Sequence, residues 1–305
     1  MWCNDKVRTG KRGHAGWMCA ACLVLLGCES RQEQAASTKP VSPRRIISIS
    51  PNSTEIIGVL GAADRLVAVS DFCLWPAEVS KLPKVGGLFD ANLELMLRLS
   101  PDLIVLRGAQ RGVEQLCASN GIALYRDRTE RLDDIYTTLH ELGKLLECSP
   151  QALEAEHRMR ETLSSILAAM EGRPRPRVLM TLARDTQSIG SVMTGAKGTF
   201  IDDLITAAGG ENIFRELASA YPSISQEAIL VAQPEVIIEV FPEREDTPEL
   251  RGKLLSQWKQ FGTLPAVDRQ RVYFLFDENV LIPSPRIVET IRRVAKLLHP
   301  EAALD

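Results

Sequence analysis

The chain has few aromatic rings, few histidines and no long uninterrupted apolar run. Only 5% of its 305 residues are Phe, Trp or Tyr, and it holds four histidines. No stretch of about 18 apolar residues free of charge occurs, which excludes a membrane-spanning transporter or channel. A formal charge of -3 gives no general attraction for nucleic acid or anionic lipid. The phosphate and nucleophile signatures G-x-G-x-x-G, P-loop, G-x-S-x-G and H-E-x-x-H are also missing. Thr194-Gly195-Ala196-Lys197-Gly198 lacks P-loop spacing and reads as a turn before a helix. His140, His157 and His299 do not assemble into a histidine-rich metal site. No nucleophile–base set is recognisable, so an enzyme is not indicated. What remains is 45% hydrophobic and 25% charged, a globular composition sufficient for one large or two medium domains.

The N-terminus is built differently. Lys6, Arg8, Lys11 and Arg12 precede an apolar run from Ala15 to Leu26, which ends in Gly27 and Cys28. A basic region, a short hydrophobic region and a small residue describe an export signal over residues 1–27. Leu25-Leu26-Gly27-Cys28 resembles the lipobox of bacterial lipoproteins, in which the cysteine is lipidated; several acyl chains give stable anchoring. The protein is therefore expected to face the periplasm or cell exterior on a lipid anchor. Removing residues 1–27 takes away four basic residues and Asp5, a net +3, which moves the charge from -3 to -6. Of the remaining cysteines, Cys73, Cys117 and Cys148 could form one disulfide and a free thiol, or three buried thiols. Residues 28–43 are polar and carry two prolines, reading as a flexible tether of roughly 20 Å mean span.

Order begins at Arg45-Ile46-Ile47-Ser48-Ile49-Ser50, a β-type run closed by Pro51, with Asn52 or Ser53 able to cap the helix that follows. Strands are expected at 66–69, 103–106 and 123–125, alternating with helices at 92–99 and 112–120. Helical patterns then run over 132–146 and from Ser149 to about Glu171, the second opened by a Ser N-cap and Pro150. Beyond Pro176 the alternation resumes, with strands at 177–182, 236–239 and 271–275 and helices near 199–208, 226–231, 249–261 and 285–298. The fold class is α/β: two Rossmann-like lobes with mostly parallel sheets (44–148 and 173–305) joined by one long helix (149–172).

The halves also share a motif. Asn92 to Val105 has a counterpart in Ser225 to Ile238: a capping residue leads a Glu two places on, Pro follows seven later, then an acid and a buried strand. A duplicated lobe is the reading, with the cleft between lobes as the ligand site.

Together, Ser48-Ile49-Ser50-Pro51-Asn52-Ser53-Thr54-Glu55, Lys84-Val85-Gly86-Gly87, Asn92-Leu93-Glu94 with Pro101-Asp102-Leu103-Ile104, Gly209-Gly210-Glu211-Asn212-Ile213-Phe214 and Ser284-Pro285-Arg286 resemble the clefted substrate-binding proteins of ABC importers for cobalamin, ferric siderophores and haem. The resemblance covers about 45–298. It implies a monomer without cofactor that holds its ligand between the lobes and hands it to a permease dimer driven by an ATPase. Glu94 and Glu227 match the acids that meet arginine-rich permease pockets. Their simpler role is to complement a helix dipole. Ligand contacts are expected from Pro51, Asn52, Phe72, Trp75, Leu88, Phe89 and Arg107 in the first lobe, and Arg184, Tyr221 and Asp277 in the second, with Trp75 and Tyr221 facing each other. Haem ranks third, because no histidine outside the signal falls in a cleft loop. Leu281-Ile282-Pro283 stands where siderophore binders often carry an arginine, so a corrinoid ranks first and a ferric siderophore second. A sensing lipoprotein without transport is the alternative from another class.

Replacing Cys28 by Ser should abolish detergent-phase partitioning while leaving ligand affinity unchanged, since the tether separates anchor from cleft. Wild-type partitioning of the variant would contradict the anchor.

Overall fold

The computed structural model describes residues 42–304, except 88 and 243. The expected signal peptide and Cys28 lie outside the described residues, as does the tether up to residue 41. The first lobe runs β1 (Ile46–Ser48), α1 (Pro51–Val59), β2 (Leu66–Val69), α2 (Leu93–Arg98), β3 (Leu103–Arg107), α3 (Arg111–Asn120), β4 (Ala123–Asp127) and α4 (Leu132–Leu145). Its four strands are parallel, in the order β2-β1-β3-β4. The joining helix α5 (Ser149–Met170) follows.

The second lobe comprises β5 (Arg177–Thr181), β6 (Ala183–Arg184), β7 (Ser191–Met193), α6 (Phe200–Ala207), β8 (Glu211–Asn212), β9 (Ser223–Ser225), α7 (Gln226–Ala232), β10 (Val236–Val240), α8 (Pro248–Lys259), α9 (Pro265–Asp268), β11 (Val272–Leu275) and α10 (Ile287–Leu298). Its parallel sheet, read from the β8 edge, is β8-β5-β10-β11. That order repeats the first lobe strand for strand, with β5 in the place of β1 and β10 in that of β3. The α/β, helix, α/β reading is the observed architecture.

Two helix starts differ from the sequence reading. Helix α1 begins at Pro51 with Ser50 as its N-cap residue, and α5 begins at Ser149 after Cys148, neither with a side-chain cap bond. Proline tolerates the first turn because its missing N–H would be unpaired there anyway, so each helix extends back past the capping candidates. A small antiparallel sheet, β6-β7-β9, has no counterpart among the described residues of the first lobe. Strands of two or three residues are too short to display an alternating pattern.

The parallel strands distribute their side chains with period two. Ile46, Leu103 and Val105 in the first sheet and Val178, Met180, Val236 and Ile238 in the second belong to one apolar core, completed by Ala152, Ala155, Met159, Ile166 and Met170 of α5. The alternate residues Ile47, Ile104 and Leu106 enter an outer core private to the first lobe. Leu179 and Ile237 do the same in the second, around fully buried Trp258. Cys73, Cys117 and Cys148 are three buried thiols distributed through this framework.

A buried charge sits in the middle of a central strand. Glu239 is buried in the otherwise apolar β10 and pairs bidentately with Arg184, at 2.5 and 2.9 Å; both side chains are fully inaccessible. Gln257 accepts from the same guanidinium at 2.8 Å. Glu239→Ala should destabilise the protein by about 3–5 kcal/mol, because it leaves the Arg184 cation buried and unpaired. Replacing both partners by Met should cost less, a comparison that urea unfolding makes directly.

Candidate functional site

In open α/β sheets, ligands bind beyond the carboxyl ends of the strands. Here those ends face each other across the lobes. Tyr221 of the second lobe lies against Glu130 and Arg107 of the first, and burial together with the nearby Glu130 carboxylate raises its phenol above the usual range. Arg107 is the last residue of β3, and its guanidinium pairs with Glu130 at 3.0 Å.

The short antiparallel sheet delivers Tyr221. Thr194 N–H donates to Pro222 O at 3.1 Å and Ala196 N–H to Ala220 O at 2.8 Å, which extends the β7 pairing along the segment carrying the ring. In the first lobe, a bridge between Val69 and Lys84 runs chain parallel to β2 and places the segment after it at the carboxyl edge. Phe72 and Phe89 are exposed there, at 55% and 97%. Phe72 crosses Gly87 so closely that a β-carbon at that position would meet the ring at 2.8 Å.

Several expected contacts are used internally instead. Asn52 is buried, with Ser50 Oγ donating to its Oδ1 at 2.5 Å and its amide donating to Asp127. Ser53 Oγ also donates to Asp127, at 2.6 Å, and Thr129 N–H at 2.9 Å. This network ties the start of α1 to the end of β4 and leaves Asn52 no free polar group for a ligand. Arg184 is withdrawn by Glu239, as described. Asp277 caps a short 3-10 turn by accepting from Asn279 N–H at 3.0 Å and faces Arg293 at 3.6 Å, although its side chain stays partly open. Pro51 is half-buried at the first position of α1. Leu88 lies outside the described residues.

Trp75 and Tyr221 have different neighbours. The indole packs on Gly58 of α1, whose added β-carbon would meet it at 2.8 Å, and Arg286 lies over its ring at 5.0 Å. Trp75 lies beside Gly58 and Leu66 near β2, while Tyr221 lies near Arg107 at the end of β3 and Glu130 beyond β4. Trp75 thus touches both lobes, through Gly58 of the first and Arg286 of the second. Glu130 was missed because a glutamate in Thr129-Glu130-Arg131 resembles any solvated loop charge.

The periplasmic binding protein family matches residues 46–278, most of the chain. The chain belongs to that family. It is 28% identical over 254 residues to the vitamin B12-binding protein of Vibrio parahaemolyticus, covering 83% of this chain and 88% of that one. It is 31% identical over 222 residues to that of Yersinia pestis, covering 72% and 75%. The crystal structure of the periplasmic vitamin B12 binding protein of Vibrio cholerae superposes with a TM-score of 0.71 at 27% identity, over 84% of this chain and 97% of that one. A periplasmic heme binding protein from Pseudomonas aeruginosa reaches a TM-score of 0.75 at 24% identity, over 86% and 94%, a likeness of fold alone.

This binding protein joins its lobes through side chains as well as α5. At one flank, Arg131 donates to Asp203 of α6 at 2.7 and 3.2 Å, and Leu132 N–H adds a third bond at 3.1 Å. At the other, buried Glu55 of α1 accepts from Ser284 Oγ at 2.5 Å and Arg286 Nη1 at 3.3 Å. Arg286 also donates to Asn279 Oδ1 at 3.0 Å. Burial pushes the Glu55 carboxyl up, against the opposing pull of Ser284 and Arg286, with Glu289 and Asp277 adding to the rise. A carboxyl raised in the folded state contributes stability below its ordinary value of 4.5, and that contribution is lost as pH rises through the raised value. The stability of wild type relative to Glu55→Gln should therefore fall as pH is raised from 4.5 to 8, measured by denaturant melts. A pH-independent difference would contradict the assignment.

Proposed function

We propose that the protein is an extracytoplasmic solute-binding protein that captures a cobalamin-like corrinoid between its lobes and passes it to an ABC-type permease. The observation that carries the ligand class is the state of Arg107. Its charge is already answered by Glu130 at 3.0 Å, with the Tyr221 phenol near the same carboxylate. The first-lobe edge of the cleft also presents two exposed rings, Phe72 and Phe89. An anionic ferric chelate would meet a cation whose charge Glu130 already offsets, whereas a large, largely neutral macrocycle meets rings and a paired charge. The vitamin B12-binding relatives support the same ligand.

Docking to the permease is assigned to Glu94 and Glu227. Both are exposed, both occupy the second position of a helix preceding a central strand, and each helix is capped by a side chain: Asn92 accepts from Leu95 N–H at 2.9 Å and Ser225 from Ala228 N–H at 3.3 Å. The hydrogen bond with Ser225 holds the Glu227 carboxyl below the usual range.

Titration of the purified protein with cyanocobalamin, a ferric siderophore and hemin, followed by calorimetry, tests the ligand assignment. Cyanocobalamin should bind tightest, and Tyr221→Ala should weaken it by about 1–3 kcal/mol, the scale of losing a buried aromatic contact, without altering the unfolding midpoint. Preference for hemin or the siderophore, or unchanged affinity in the variant, would contradict the reading.

A further inference from the structure

The internal repeat reaches down to individual hydrogen bonds. Aligned through Pro101 and Pro234, Asp102 accepts from Arg45 N–H at 3.0 Å and Glu235 accepts from Arg177 N–H at 3.0 Å. In return, Asp102 N–H donates to Arg45 O at 3.0 Å and Glu235 N–H to Arg177 O at 2.8 Å. The arginine side chains then turn to the helix ends. Arg45 Nη2 donates to Leu99 O at 2.6 Å, while its Nε reaches Leu99 O and Ser100 O at 3.2 and 3.1 Å. Arg177 Nη2 donates to Ala232 O, also at 2.6 Å. Leu99 and Ala232 occupy the same place in the repeat. Each is followed by a non-glycine residue with positive φ, Ser100 and Gln233, both at 47°.

This clamp answers a specific weakness. Helices α2 and α7 have six and seven residues, less than two turns, and a helix that short does not hold itself. Each has one fully inward anchor, Met96 or Ile229, at 0% and 2% exposure. The carbonyls at a helix end lack intrahelical partners, and a cation there also complements the helix dipole. An arginine planted at the start of the first strand of each lobe supplies both, and it bonds the helix end to the sheet.

We infer that Arg45 and Arg177 are positioning residues that fasten α2 and α7 to the lobes, fixing the spacing and aim of Glu94 and Glu227 toward their partner. The inference rests on the docking reading above. Two acids that must engage one rigid partner together depend on their spacing, because the second contact gains from the first only if both reach.

The test compares wild type, Arg45→Ala/Arg177→Ala, the corresponding double Lys variant and Glu94→Ala/Glu227→Ala. Each is measured for binding to the permease–ATPase complex of the same organism in nanodiscs, for cyanocobalamin affinity, and for amide exchange in residues 93–100 and 226–233. The double Ala variant should exchange faster in those two helices and dock at least about tenfold more weakly, with cyanocobalamin affinity unchanged. The double Lys variant should recover part of the docking, since it restores a cation at the helix end. If the double Ala variant fails to fold, Arg45→Ala and Arg177→Ala singly should each show the same pattern more weakly. Wild-type docking of the arginine variants beside a docking-deficient glutamate variant would overturn the clamp alone. Wild-type docking of the glutamate variant would overturn the docking reading and the clamp with it.

Discussion

The structure depends on one apolar core that belongs to both lobes. Because side chains on a parallel strand alternate, β1, β3, β5 and β10 each send every second residue into a shared interior and the remainder into a private one. Helix α5 fills the shared interior instead of merely crossing between lobes. Separating the lobes would expose that core to water, so closure on a ligand is confined to small adjustments about a fixed base. The Glu55–Arg286 and Arg131–Asp203 contacts reinforce the base at its two flanks.

Duplication explains much of what is built on that base. The two parallel sheets have the same strand order, and the helix before each third strand carries an exposed acid and ends on an arginine from the first strand. The candidate ligand contacts lie where the lobes diverge. The second lobe adds a three-stranded antiparallel sheet that carries Tyr221 over the cleft, while the first presents Phe72 and Phe89 around glycine-rich turns.

The sequence disclosed the framework readily and the site only in part. Buried strands such as Leu103–Arg107 and Val236–Val240 stand out because their apolar runs are flanked by prolines and helical periods, and the repeat was visible in Pro101 and Pro234. Site residues were harder to assign because a side chain's target is a tertiary fact. Arg184 read as an available cation, yet the glutamate inside Val236-Ile237-Ile238-Glu239-Val240 was the legible signal that a buried partner had to exist. Asn52 was drawn inward by Asp127, a residue 75 positions away, and no local pattern announces such a pairing. The short strands β6, β7 and β9 gave too few residues for any period to show.

The central claim is that ligand is held between the carboxyl ends of both sheets. Amide exchange with and without cyanocobalamin tests it most directly. Protection is expected on both sides of the cleft together, in residues 70–74 and 86–91, 107–111 and 128–131 of the first lobe and 218–222 of the second. Protection confined to one lobe, or centred on residues 58–66 and 75–82 around Trp75, would contradict the account.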